Sequence, residues 1–181
     1  YTQGFEYSDG WVDDARLVAS NAIDASDRGA DVLTRTACVQ LQRDGDAWLA
    51  TLRNTLDGSE RTIRARLVVN AAGPWVAEFL DAHTPLPARH HPRQIRGSHI
   101  VVRKLFDHDY AYIFQAPDGR IVFAVPYEGE FTLIGTTESE YTGDLAQPAI
   151  AAAEQAYLLQ MANRYFQRDL GEPDVVWTFA G

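Results

Sequence analysis

The sequence predicts two lobes: an α/β lobe carrying a β-meander, and an α+β lobe built on a mostly antiparallel sheet with a covering helix. Three observations carry that prediction. Leu67–Val76 reads LVVNAAGPWV, an apolar run that ends in small residues, then Gly73-Pro74, then an amphipathic stretch. That is the pattern of a buried strand, a tight turn and a helix start. Thr84–Arg93 holds three Pro and two adjacent His, which marks a crossing between lobes. Beyond it, short strand-like runs alternate with Gly-containing turns, as in an antiparallel sheet. The expected boundaries are residues 1–82 and 83–181.

The elements follow in order. In Asp14–Arg28, Ala15, Val18 and Ala22 lie at helical spacing, and Ala25 or Ile23 extends the stripe. Asp13 or Asp14 suits the N-cap, and Gly29 follows the end. Asp31–Leu41, rich in Val, Thr and Leu, reads as a strand or a bent pair of strands. Asp44-Gly45-Asp46 is a hairpin turn. Trp48–Arg53 returns as a strand, Asp57-Gly58-Ser59 turns again, and Arg61–Arg66 is a third strand. Pro74–Asp81 is a short helix.

In the second lobe, Ser98–Val102, Ala111–Gln115, Ile121–Tyr127 and Phe131–Thr136 read as strands, with turns at Asp118-Gly119 and Glu128-Gly129. Ile121–Val125 is apolar on both faces, which predicts a central strand. Pro148–Phe166 is an amphipathic helix with Ile150, Ala153, Tyr157, Met161 and Tyr165 as its stripe. Asp174–Thr178 is the last strand.

Composition narrows the function classes. A hydrophobic content of 46% and four Trp predict a folded globular chain, and no apolar run approaches membrane-spanning length. The net charge of −9 argues against a nucleic-acid surface. Cys38 is the one cysteine, so no internal disulfide forms, and it reads as a small buried residue. The chain opens at Tyr1 rather than Met, and the expectation is a piece of a larger enzyme.

Small residues at Ala71-Ala72-Gly73 let a ligand lie against the backbone, and N–H groups at a helix start suit an anion such as a pyrophosphate. No Gly-x-Gly-x-x-Gly fingerprint accompanies them. His99, beside an apolar strand, fits either a hydrogen-bonded structural role or a proton acceptor. His90-His91 lacks carboxylate or Cys ligands at metal spacing, so a solvated loop and no metal site are expected. Asp13 and Asp14 are explained by helix capping and Thr136-Thr137 by β-propensity. Glu138 and Glu140 read as solvated at a strand end.

The order FEYSDGWVDDARL, GADVLTRT, LVVNAAGPWV, RGSHIVV, GRIVFAVPY, LIGTTESEY and VVWTFAG resembles the FAD-dependent glycerol-3-phosphate dehydrogenases, within the wider D-amino-acid-oxidase-like flavoproteins. The resemblance covers essentially the whole chain. It implies a partial, Rossmann-like FAD-binding lobe over residues 1–82 and a substrate-binding cap domain over 83–181. It implies FAD contacts at Cys38 and Val39 near the adenine, and at Ala71, Ala72 and Gly73 near the ribose and pyrophosphate, with Trp75 in the same turn. It also implies His99 near flavin and substrate, as the base, with Arg96 and Ser98 toward the substrate and Arg96 toward its phosphate.

The chain departs from the family pattern at Ala72 (usually Thr), Arg96 (usually Lys), Arg103 (usually Pro) and Glu138 (usually Asp). In the family, the sequence after Phe179-Ala180-Gly181 runs on to an Arg that contacts substrate. The implied reaction oxidises sn-glycerol 3-phosphate to dihydroxyacetone phosphate by hydride transfer to FAD, with electrons passing to quinone. The implied setting is cytoplasmic, with the parent peripheral on the inner membrane surface. The isolated chain is expected to hold no FAD, to be inactive, and to self-associate through an uncovered apolar patch. Two rival readings are an amine or hydroxy-acid oxidase of the same fold, and a non-catalytic binding module; retention of flavin discriminates the last.

Overall fold

The computed structural model describes residues 4–181, which divide into two compact units. One comprises residues up to Asn70 with Glu78–Pro87, and the other Ala71–Ala77 with Ala88–Gly181. The chain changes unit after Asn70, after Ala77 and after Pro87, so the small-residue turn belongs to the second unit.

The first unit opens with helix α1, Asp14–Asp27. Asp13 caps it, its carboxylate accepting the Arg16 N–H at 3.0 Å. No residue of α1 is buried, and Leu17, Val18 and Ile23 are exposed. Three strands follow as an antiparallel meander: β1 Thr36–Asp44, β2 Ala47–Asn54 and β3 Glu60–Ala65. The strand expected from Asp31 starts only at Thr36, because a turn at Arg35, with φ 53, intervenes. The Arg35 carbonyl accepts both the backbone N–H and the hydroxyl of Thr55, at 2.9 and 3.1 Å. Leu41, Ala47 and Ala50 supply a small core, and Arg43 lies over its cross-strand partner Trp48.

Leu67–Asn70, expected as a buried strand, pairs with no strand among the described residues, and Leu67 and Val69 are each 76% exposed. An extended segment becomes a strand only where a neighbour takes up its backbone donors and acceptors. A single 3-10 turn, Gly73–Trp75, then leads into helix α2, Val76–His83.

The second unit holds a five-stranded antiparallel sheet. Its strands are β5 Ser98–Arg103, β6 Tyr112–Gln115, β7 Ile121–Tyr127, β8 Phe131–Gly135 and β10 Val175–Ala180, in the order β10-β5-β8-β7-β6. The strand at Ile121–Tyr127 is interior, as its apolar faces predict. A two-residue pair, β4 Ile95–Arg96 with β9 Ser139–Glu140, has no counterpart in the sequence reading.

Helix α3 spans Ala152–Tyr165 and covers one face of the sheet. Its buried side is Glu154, Leu158, Leu159, Met161 and Ala162, while Ala153 is exposed. Of the expected stripe, Met161 is buried, Ile150, Tyr157 and Tyr165 pack against the core, and Ala153 alone lies outside it. Leu158, Met161 and Ala162 pack on Ile100, Val102 and Ile134 of the sheet. Burying a side chain such as Leu158 stabilises by roughly 1.5–3 kcal/mol.

Candidate functional site

Alternation along β5 sends Ile100 and Val102 into the core and leaves His99 on the opposite, uncovered face. The registers place one row of residues on that face across all five strands: Phe179, His99, Gly135, Phe123 and Ile113. His99 sits inside this row, one strand from the edge. Its ring stacks on Phe179 at a centroid distance of 5.0 Å and an angle of 15°. On its other side, the ring occupies the space a side chain at position 135 would need. A Cβ there would lie 2.1 Å from His99 Cδ2, so only glycine fits. Partial burial among these groups holds the His99 pKa below the ordinary histidine value, because desolvation disfavours the imidazolium. The neutral ring is the form that accepts a proton.

The face behind His99 is anchored by a buried carboxylate. Glu154, in the first turn of α3, accepts hydrogen bonds on Oε1 from Thr137 Oγ1 at 2.7 Å and from the Ser98 and Ser139 hydroxyls at 3.1 Å each. Its Oε2 accepts the Ala151 N–H at 2.9 Å and pairs with Arg96. Burial acts to raise the Glu154 pKa. The bonds from Thr137, Ala151, Ser139 and Ser98 outweigh it and hold the carboxyl below its ordinary value. The Arg96 guanidinium also lies 5.0 Å from the Tyr141 ring, and its Nε is buried without a hydrogen-bond partner.

Two residues expected toward the substrate, Ser98 and Arg96, are engaged by this carboxylate. Ser98 has no exposed surface, and its hydroxyl is given to Glu154 rather than to a substrate. Arg96 is likewise engaged by Glu154 and largely buried, so its charge is neutralised inside the protein. The expectation of a phosphate-binding Arg96 came from its charge and its place in the RGSHIVV motif; the carboxylate that takes that charge lies far along the chain.

The expected cofactor residues lie in both units. In the first, a bulge between Cys38 and Gln40 releases Val39 from the ladder, and His83 Nδ1 donates to the Val39 carbonyl at 2.9 Å. Cys38 is half-buried, with Sγ 3.6 Å from the Gln40 carbonyl, and burial pushes its thiol pKa up. In the second unit, Ala71, Ala72, Gly73 and Trp75 share one turn. Gly73 has φ 55 with open space where a Cβ would stand, and the Trp75 N–H closes the turn on the Ala72 carbonyl at 3.1 Å. A bare, small-residue turn at a helix start fits the polar part of a dinucleotide passing over it. Among the described residues, no cluster of His, Cys, Asp or Glu is arranged to hold a metal ion.

Comparison with known proteins decides the family. The sequence profile of the FAD dependent oxidoreductases matches residues 1–181. The chain belongs to that family. A glycerol-3-phosphate dehydrogenase of Pseudomonas aeruginosa is 51% identical over 99% of this chain and 35% of its own length. A D-erythritol 1-phosphate dehydrogenase of Brucella abortus is 45% identical over 100% of this chain and 36% of its own. The crystal structure of the Bacillus halodurans glycerol-3-phosphate dehydrogenase complexed with FAD superposes with a TM-score of 0.82 at 33% identity, over 93% of this chain and 34% of that one. The chain thus spans about a third of the length of these relatives, and its mixed helices and antiparallel sheets are part of an FAD dependent oxidoreductase fold.

Sequence reasoning missed Glu154 and Gly135 in this oxidoreductase segment. The signal for Glu154 was available: Ala151-Ala152-Ala153-Glu154 places a Glu where a helix start uses it to receive the N-cap N–H. Gly135 carried no local signal, because the atom that excludes a side chain there is on the neighbouring strand.

Proposed function

We propose that this chain is the central segment of an FAD-dependent dehydrogenase that oxidises sn-glycerol 3-phosphate to dihydroxyacetone phosphate. The observation that carries the reading is His99, a neutral imidazole fixed by Phe179 and Gly135 on the uncovered apolar face of the five-stranded sheet. Similarity to glycerol-3-phosphate dehydrogenases along the full chain supports it. FAD, when bound, would supply the hydride-accepting chemistry. The resemblance assigns its ribose and pyrophosphate to the turn at Ala71, Ala72, Gly73 and Trp75, and its adenine to the strand at Cys38 and Val39.

His99 takes the hydroxyl proton as the alcohol becomes a ketone. Its depressed pKa keeps it ready as a base at neutral pH. The apolar row beside it excludes water, and its flat groups orient the substrate carbon chain. Arg96, committed to Glu154, leaves the phosphate to another cation of the whole enzyme. In this reading electrons leave through quinone, and the parent is cytoplasmic and peripheral on the inner membrane surface. Among the described residues, no helix is long and apolar enough to cross a membrane.

A longer polyol phosphate is a second reading, favoured by the erythritol-phosphate relative at nearly the same identity. One experiment separates the two: the flavin spectrum of the full-length protein, recorded without oxygen. Bleaching by glycerol 3-phosphate supports the first reading, and bleaching only by D-erythritol 1-phosphate supports the second. A flavin that neither compound reduces overturns both, and an amine or hydroxy-acid oxidase then comes first. The isolated chain is expected to carry no stoichiometric flavin; a yellow preparation overturns that expectation.

A further inference from the structure

We propose that Glu154 and Thr137 are positioning residues for His99. The inference rests on the reading of His99 as the base, and it starts from the alternation of β5. Ser98 and Ile100 point to the helix side and His99 to the open side, so fixing Ser98 fixes the origin of the His99 side chain. Ser98 is fixed three ways. Its N–H donates to Thr137 Oγ1 at 2.9 Å, its carbonyl accepts the Thr137 N–H at 3.3 Å, and its hydroxyl donates to Glu154. Gly97, just before it, exchanges reciprocal backbone bonds with Gly181 at 2.8 and 3.0 Å.

Thr137 is the hub. Its hydroxyl accepts from Ser98 and donates to Glu154, so both of its hydrogen-bonding roles are used inside a fully buried site. It also follows Gly135 by two residues, and the absence of a Gly135 side chain gives the His99 ring its place. A single carboxylate therefore ties together the two chain segments that flank the imidazole. The pair with Arg96 supplies a counter-charge that lets the carboxylate stay ionised while buried. A hydrophobic residue at position 154 would pack the same space but leave three hydroxyls without an acceptor.

The test is made in the full-length, FAD-loaded enzyme. Thr137→Val keeps shape and the Arg96–Glu154 pair and removes only the hydroxyl. Flavin reduction at saturating substrate, scaled to bound FAD, is expected to slow about 10- to 100-fold, since misplacing a reacting group by about 1 Å costs that much. KM and FAD content are expected to stay within about threefold. Thr137→Ser, which restores the hydroxyl, is expected to recover most of the rate. Glu154→Gln is expected to lose more than Thr137→Val where it folds; where it does not, Thr137→Val decides. A Thr137→Val enzyme that reduces its flavin within threefold of the parent overturns the proposal. A His99→Gln control separates the two claims. If that control is itself nearly unimpaired, His99 is not the base, and the crystal structure of Thr137→Val then judges positioning. An imidazole displaced by about 0.5 Å or more supports it, and an unmoved ring overturns it.

Discussion

The two faces of the five-stranded sheet are made by the same strands, residue by residue in alternation, and they have opposite characters. The face under α3 is closed: Ile100, Val102, Val122 and Ile134 are essentially inaccessible, and the carboxylate buried there, Glu154, is fully engaged by hydroxyls and by Arg96. The other face is apolar and partly exposed: Trp177 is 67% and Phe179 40% exposed, while Val101 between its neighbours is buried. On that second face the His99 imidazole is held between Phe179 and Gly135.

Substitutions on either side test the difference between the faces. The largest effect is expected on the open face and in activity. His99→Gln in the intact enzyme is expected to lower turnover about 10²–10⁴-fold, with the fold retained. A loss under threefold with normal thermal stability removes His99 from the mechanism. On the closed face, Leu158→Ala is expected to cost about 2–5 kcal/mol of stability by leaving a cavity, read from urea denaturation midpoints. A cost below 1 kcal/mol would mean that α3 is not what closes that face.

Gly135→Ala joins the two faces. A methyl group there collides with the His99 ring, so about 1–3 kcal/mol of destabilisation is expected together with a loss of flavin reduction. Destabilisation with full activity per folded molecule would show that the ring has room to move.

The acid dependence of stability is a subtler probe of the anchor. The Glu154 pKa lies lower in the folded chain than in the unfolded one, so folding releases its proton at acid pH. Its contribution is complete above the ordinary carboxylate range and is lost as pH falls through the folded value. The stability gap between parent and Glu154→Gln is therefore expected to narrow as pH is lowered, with at most one proton in the slope. A gap that is flat down to pH 3 contradicts a Glu154 carboxyl held below its ordinary value. The smallest effect is expected at the open edge: Trp177→Ala should change stability by no more than about 0.5 kcal/mol. A larger loss would mean that this face is covered.

Much of this was legible in the sequence, for physical reasons that also explain the rest. The meander was readable because its turns are local, Asp44-Gly45-Asp46 and Asp57-Gly58-Ser59, and its strands carry β-formers. The sheet strands at Ser98, Ile121 and Phe131 were readable from apolar runs between turns. The pair β4–β9 was not, because two residues show no period. Leu67–Asn70 misled because an apolar β-branched run reports what a segment can do, while its partners decide what it does. In the site, His99 stood out through the motif that surrounds it. The partners of Arg96 and Ser98 did not, since Glu154 is more than fifty positions away in each case. A Glu in an Ala-rich stretch looks solvated until the hydroxyls that receive it are folded around it.

The pairing of β5 has a consequence for how the molecule comes to be. The meander can form from neighbours, with Asp44 beside Ala47, but Val101 must wait for Trp177, far along the sequence. Contacts so distant in sequence are slow to close, because the intervening chain must be ordered first. During synthesis, the strand bearing His99 emerges long before the strand on which its ring stacks. The half of the sheet that carries His99 therefore closes later than the meander, and until then its apolar row is exposed to whatever else is nearby, which makes this the stretch where a chaperone would be expected to act.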